Sequence, residues 1–359
     1  MNMEKQMPRK RSRRLAVAAA LALALLAVAC GSDDNGSSES AAAPATSAIA
    51  AKEAAAPSTT ADPKKDWPKK LRFVAVPSSE QKAQVERYQP MAEILSKELG
   101  IPVEFTFATN YSAVIEAMIA GNVEIAQFGP FAYVIATGNG AQIVPIGIAT
   151  KEGKEPSYRA YGITGAKNDS IKSLKDFAGK KVCYVDAAST SGYLFPSAGL
   201  LEVGINPETG VKGTFAGGHD ASAISVANGT CEAGFVFDTM LTSQLIQKGD
   251  IKGVVDTVEK ETINPEKADV KIVWKSPAIP NGPVAMQKKL PQTLQDAITK
   301  VFMEKVNVDT YVAMGFCPSK DKCNIGDEDA SKYGAVKDSL YDGVRKVCEQ
   351  TKSAKCKLT

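Results

Sequence analysis

Lys181-Val182-Cys183-Tyr184-Val185-Asp186-Ala187-Ala188-Ser189-Thr190-Ser191-Gly192-Tyr193-Leu194-Phe195-Pro196 holds the clearest structural instruction in this chain. Its first half is a β-branched and aromatic run, the pattern of a buried strand, and its second half is a hydroxyl turn that opens a helix. A helix start leaves about four N–H groups without internal partners and carries partial positive charge. Ser189, Thr190 and Ser191 add donors there, so the turn reads as a socket for an oxyanion. Gly192 is expected to let a ligand come close to the backbone. Pro196 lacks an N–H and crowds the carbonyl of Gly192, which predicts a short turn, a break, and a helix from Pro196 to Leu201, with the hydroxyls held open to solvent. The competing reading is a plain N-cap and loop.

Strand and helix patterns alternate on both sides of this stretch. Toward the N-terminus the spacing predicts strands at Leu71–Val76, Val103–Phe107, Val123–Gln127, Ile143–Ala149 and Tyr158–Thr164. Helices are predicted at Gln81–Leu99, Tyr111–Ala120 and Phe131–Thr137, with Gly100 and Gly121 as stops. Beyond the turn, Gly213–Ala216 and Glu232–Phe237 read as strands, with helices Asp220–Asn228 and one ending at Lys248. Such alternation implies an α/β fold on mostly parallel sheets, whose ligands collect beyond the carboxyl ends of the strands. Pro77-Ser78, Phe128-Gly129, Ser189–Ser191, His219-Asp220 and Asp238 all fall at such ends.

Residues 1–29 combine six basic residues with an Ala/Leu/Val run too short for a membrane span, the pattern of an export signal. Ser12-Arg13-Arg14 also has the beginning of a twin-arginine signal, so both export routes stay open. Residues 30–66 are mostly Ser, Ala, Thr, Asp and Pro and cannot bury enough apolar surface to fold. They read as a tether with a span on the order of 30 Å. The net charge is +3 over the full chain, but the excess lies in residues 1–29. The remainder is slightly acidic, which gives no support to nucleic-acid binding. Of seven cysteines, Cys30 ends the apolar run, and six remain in an exported chain where disulfides are permitted. Cys317 with Cys323 and Cys348 with Cys356 could be local staples; Cys183 with Cys231 would be the third pair by elimination. The sequence calls for no cofactor, and the lone histidine, His219, is not at zinc-ligand spacing from any cysteine pair.

Leu26-Ala27-Val28-Ala29-Cys30-Gly31 resembles the lipobox of bacterial lipoproteins, with Ala27 where leucine is usual. The resemblance implies a mature chain that starts at a lipid-bearing Cys30 and is anchored to the outer face of the cell membrane. Tyr88-Gln89-Pro90, Phe128-Gly129-Pro130-Phe131-Ala132-Tyr133, Ser189 to Pro196, His219-Asp220, Val226-Ala227-Asn228-Gly229 and Ser276 to Pro283 follow in order. Together they resemble the phosphonate, phosphite and phosphate binding proteins of ABC importers. That likeness implies a two-lobe periplasmic-binding-protein fold of type II, with two mixed, mostly parallel sheets joined by a two-stranded hinge. Lobe I would take residues 67–159 and 278–359, and lobe II residues 160–277. The partners implied are a small phosphorus oxyanion and the permease and ATPase subunits of an importer. The Cys317–Cys323 loop and the Cys348–Cys356 turn have no place in the family pattern.

Carried over by position, Ser189, Thr190 and Ser191 match the phosphoryl-binding turn. Tyr111 and Tyr158 match aromatic hydroxyls closing from the other lobe, His219 and Asp238 match polar groups of the cleft, and Asn281 is a looser match. His219 and Asp238 could instead cap helices, Tyr111 and Tyr158 could be packing residues, and Asp220 reads as a cap. Asp238, as the one carboxylate of this set, would favour a ligand that still carries a proton or an amine, which ranks phosphite and small phosphonates together ahead of dianionic phosphate. Two other functions compete. One is a binding module that feeds a membrane sensor; the other is a serine hydrolase, although Ser-Thr-Ser-Gly-Tyr does not match the Gly-x-Ser-x-Gly elbow.

Overall fold

The computed structural model describes residues 62–260, 262–263, 265–327 and 329–356. The export signal, Cys30 and the tether as far as residue 61 lie outside the described residues.

The first four strands are β1 (Leu71–Ala75), β2 (Val103–Phe107), β3 (Ile125–Gln127) and β4 (Ile143–Thr150). A two-residue strand, β5 (Ser157–Tyr158), leads out of this lobe. Lobe II then contains β6 (Ala160–Gly165), β7 (Lys181–Tyr184), β8 (Lys212–Phe215), β9 (Ala233–Phe237), β10 (Val254–Asp256), β11 (Thr262–Ile263) and β12 (Val270–Lys275). The chain returns through β13 (Ile279–Pro280), which pairs antiparallel with β5, and completes lobe I with β14 (Pro283–Gln287) and β15 (Lys332–Gly334). The two sheets have the orders β15-β4-β14-β3-β1-β2 and β11-β10-β12-β6-β9-β7-β8.

Both sheets are mixed, for a reason that lies in the connections. Strands joined through a helix, such as β1 with β2 and β7 with β8, run parallel. The strands that enter and leave through the hinge, β6 and β14, pair antiparallel with both their neighbours. The predicted strand Tyr158–Thr164 is therefore two strands split at Arg159, because its first residues pair in the hinge and the rest in lobe II.

Alternation along β1 builds the core of lobe I. Leu71, Phe73 and Ala75 pack with Tyr88, Met91 and Leu95 of helix Gln81–Leu99, whereas Val74 joins Tyr111, Phe131 and Tyr133 on the opposite face. Helices Tyr111–Ile119 and Pro130–Gly138 lie on that second face and point their first residues toward the cleft. The connectivity that the sequence left open is Cys183–Cys231, Cys317–Cys323 and Cys348–Cys356, with Cα separations of 5.9, 5.4 and 5.4 Å.

The hydroxyl turn differs from its predicted form. Residues Thr190–Leu194 make one wide turn in which the N–H of Leu194 reaches Ser189 O at 3.0 Å and that of Phe195 reaches Thr190 O. The turn runs directly into helix Phe195–Glu202. Pro196 leaves the Gly192 carbonyl without its usual partner, and Val185 N supplies one at 3.2 Å. The widened turn satisfies the backbone without a break. Gly192 is required for this fold-back, since a Cβ there would sit 2.3 Å from Val185 Cβ. Its role is internal packing and not ligand approach.

Candidate functional site

Residues from both lobes line a cavity of about 30 Å³, two to three times the ~10–15 Å³ that holds one water. Lobe II supplies Ser189, Thr190, Ser191, His219 and Phe237; lobe I supplies Val76, Ser78, Tyr111, Gln127, Phe128, Gly129, Pro130, Tyr158 and Asp327. Six of the eight residues expected from sequence therefore meet here. The hydroxyl turn is buried, with Ser189, Thr190 and Ser191 exposed by 2% or less, because lobe I closes over it. That closure overrides the expected opening to solvent.

Hydrogen bonds fix the direction of most polar groups. Thr190 Oγ1 accepts from Phe131 N across the cleft at 2.8 Å, which leaves its own proton to donate. Ser189 Oγ accepts from Gly192 N at 3.1 Å and lies 3.4 Å from His219 Nε2. His219 Nδ1 accepts from Phe237 N at 3.2 Å, so the neutral ring carries its proton on Nε2. Burial drives the His219 pKa down to about 3, which keeps the ring neutral and donating. The ring caps no helix: His219 is the first residue of helix His219–Ala227, and its N–H donates to Ser78 O of lobe I at 2.8 Å. Tyr111 is raised well above the ordinary tyrosine value by burial, with Asp186 and Asp327 adding to the effect, so its hydroxyl also stays a donor.

Positive potential comes from the backbone. Among the described residues no Lys or Arg lines the cavity. Three nine-residue helices, Tyr111–Ile119, Pro130–Gly138 and His219–Ala227, begin at its wall. Hydroxyls, an imidazole N–H and helix starts can together hold a small tetrahedral anion.

Asp238 and Asn281 lie elsewhere. The Asp238 carboxylate accepts from Arg159 N at 2.9 Å and Thr239 N at 2.8 Å, holding the hinge crossing. Asn281 donates through Nδ2 to Ala149 O at 2.8 Å, which braces the return strand. Both line a wider adjoining groove of about 780 Å³. Asp220 is not the cap expected from sequence: Gly218 is the N-cap of helix His219–Ala227, and Asp220 accepts from Glu80 N across the lobes at 2.8 Å. The carboxylate at the cavity is Asp327, paired with Arg87 and accepting from Ser78 Oγ at 2.8 Å. It follows the Cys317–Cys323 loop, where no strand or helix pattern singled it out.

The pair Ser189–His219 is not a hydrolase centre. No carboxylate orients the ring, since Nδ1 already accepts a backbone N–H, and the buried imidazole is too weak a base near neutral pH.

The family profile described as "ABC transporter, phosphonate, periplasmic substrate-binding protein" matches residues 73–309. The phosphate-import protein PhnD of Mycolicibacterium smegmatis is 42% identical over 308 residues, covering 84% of this chain and 90% of its own length. Two solved structures share the fold. A binding-protein component of an ABC phosphonate transporter from Pseudomonas aeruginosa superposes with a TM-score of 0.65 at 21% identity, over 80% of this chain and 87% of its own. PhnD1 from Prochlorococcus marinus in complex with methylphosphonate gives 0.64 at 17% identity, over 81% and 99%.

Proposed function

The chain belongs to the periplasmic substrate-binding proteins of phosphonate ABC transporters, a family of solute-binding proteins and not of enzymes, and we propose that it captures a small phosphorus oxyanion for import. The observation that carries this reading is the cavity itself: hydroxyl donors of one lobe face helix starts of the other around a space of about 30 Å³. Ser189, Thr190, Ser191, Tyr111, Tyr158 and His219 are the proposed contacts. Inorganic phosphate heads the candidates because the 42% identical relative is a phosphate-import protein, and phosphite and methylphosphonate are the alternatives of similar size. The ligand would be handed to a permease driven by an ATPase subunit.

Anchoring through Cys30 is part of the same proposal and rests on Leu26-Ala27-Val28-Ala29-Cys30. Cys30→Ser should move the protein from the membrane to the soluble fraction while ligand affinity stays unchanged. Wild-type protein recovered as a soluble chain cut beyond Cys30 would refute the anchor. Calorimetry with phosphate, phosphite, methylphosphonate and sulfate tests the ligand class. Saturable 1:1 binding of at least one phosphorus oxyanion is expected, and silence from all three at millimolar concentration contradicts it.

A further inference from the structure

We propose that Asp327 is the specificity-determining residue of this site, an acceptor that requires the bound oxyanion to carry a proton on oxygen. This role, which rests on the oxyanion reading above, would admit phosphate and monoprotonated phosphonates and turn away sulfate.

The cavity has two chemically different sides. Ser189, Thr190, Tyr111 and the Nε2–H of His219 can donate. Asp327, Ser78 and Gln127 can only accept, or have already spent their protons. Ser78 donates its hydroxyl proton to Asp327 Oδ2 at 2.8 Å, so it faces the cavity with lone pairs alone. Gln127 uses Nε2 on the carbonyls of Phe128 and Gly282, and its Oε1 has no partner among the described residues. The Asp327 carboxylate is engaged by Arg87 and Ser78, yet each carboxylate oxygen has a second lone pair. A tetrahedral anion with only accepting oxygens would satisfy the first side and be repelled by the second. An anion with one P–OH satisfies both.

Arg87 and Ser78 hold the Asp327 carboxylate from its own lobe, and lobe II holds its main chain. Its main-chain carbonyl accepts from Thr239 Oγ1 at 3.1 Å and Gln244 Nε2 at 2.8 Å, both on lobe II. Arg87 completes the frame by donating to Gln244 Oε1 at 2.8 Å. The charged and titratable groups around the carboxylate are Arg87 from helix Gln81–Leu99, Tyr111 and Tyr158 from lobe I, and Asp186 and His219 from lobe II. Loss of binding at alkaline pH would then report the ligand's own last proton.

Calorimetry with inorganic phosphate, methylphosphonate and sulfate on wild type and Asp327→Asn tests the proposal, with a wild-type series from about pH 6 to about pH 9. Phosphate retains one O–H as its dianion, whereas the methylphosphonate dianion has none. Wild type should weaken toward methylphosphonate by up to tenfold per pH unit at the alkaline end, while phosphate is held. Sulfate should bind at least ~100-fold more weakly than phosphate, and Asp327→Asn should narrow that gap at least tenfold. A folded variant with an unchanged phosphate-to-sulfate ratio overturns the proposal alone. So does a wild type that holds methylphosphonate as firmly at about pH 9 as at about pH 6, a result that decides the matter even if the variant does not fold. A wild type that binds none of the three overturns this role, and one that is silent toward phosphite as well overturns the oxyanion reading.

Discussion

His219 shows how one side chain can both brace the fold and line the candidate cavity. It is the sole histidine of the chain, so no other imidazole titrates in the same range. Its pKa is lowered from 6.5 to about 3 in the folded protein. The unfolded chain therefore takes up a proton that the fold refuses as pH falls from about 6.5 toward 3, and stability drops through that window by up to about 1.4 kcal/mol per unit. Above pH 6.5 the contribution is fully present. Thermal melts at about pH 7 and about pH 5 should show the loss in wild type, and His219→Asn should be nearly flat between them; equal slopes would place the acid sensitivity elsewhere. Asp238→Asn should leave the ligand ranking unchanged and cost about 1 kcal/mol of stability, because the carboxylate serves backbone N–H groups at the hinge. A changed ranking in calorimetry would return Asp238 to the cavity. At this scale the contiguous Ser189–Ser191 turn was legible, since its donors are adjacent in the chain. Asp327 was not: it reaches Ser78 from 249 positions away through a loop without periodicity.

The hydroxyl turn is the element on which the site depends. Its wide geometry, with N–H groups reaching five residues back, turns Thr190 toward Phe131 while Val185 takes up the Gly192 carbonyl. Gly192→Ala must push Val185 or the turn aside, at a cost of about 1–3 kcal/mol, and should weaken ligand binding along with stability. A variant with wild-type melting and affinity would show that the turn is not held this tightly. Strand-to-helix order at this element was readable from residue types alone. The widening was not, because Pro196 disclosed only a missing donor; the rescue of the freed carbonyl came from Val185, in the segment that follows β7. The hinge shows the same limit. Tyr158–Thr164 has one unbroken strand pattern, and only pairing partners distant in sequence divide it at Arg159.

The two lobes are also held together by residues that do not line the cavity. Asp220 reaches Glu80 N, Lys248 pairs with Glu80, and Arg87 holds Gln244. Such contacts favour the closed form and so raise affinity without touching a ligand. Asp220→Ala should weaken binding about fivefold, the equivalent of one hydrogen bond of about 1 kcal/mol, with no change in ligand ranking. An unchanged affinity would mean that closure does not draw on this contact. The α/β class was visible in the alternating pattern and the two-lobe plan followed from the family likeness, whereas the closing contacts pair polar residues that no sequence pattern distinguishes.

The central claim is that a phosphorus oxyanion sits between the lobes on the Ser189–Ser191 turn. Calorimetric titration of phosphate into wild type and Thr190→Val, side by side, tests it most directly. The substitution keeps the shape but removes a hydroxyl that can donate to a charged ligand and that accepts from Phe131 N. The expected loss is about 1.5–3 kcal/mol, roughly ten- to a hundredfold in affinity, with 1:1 stoichiometry retained. Equal affinity of the two proteins for phosphate would contradict the claim.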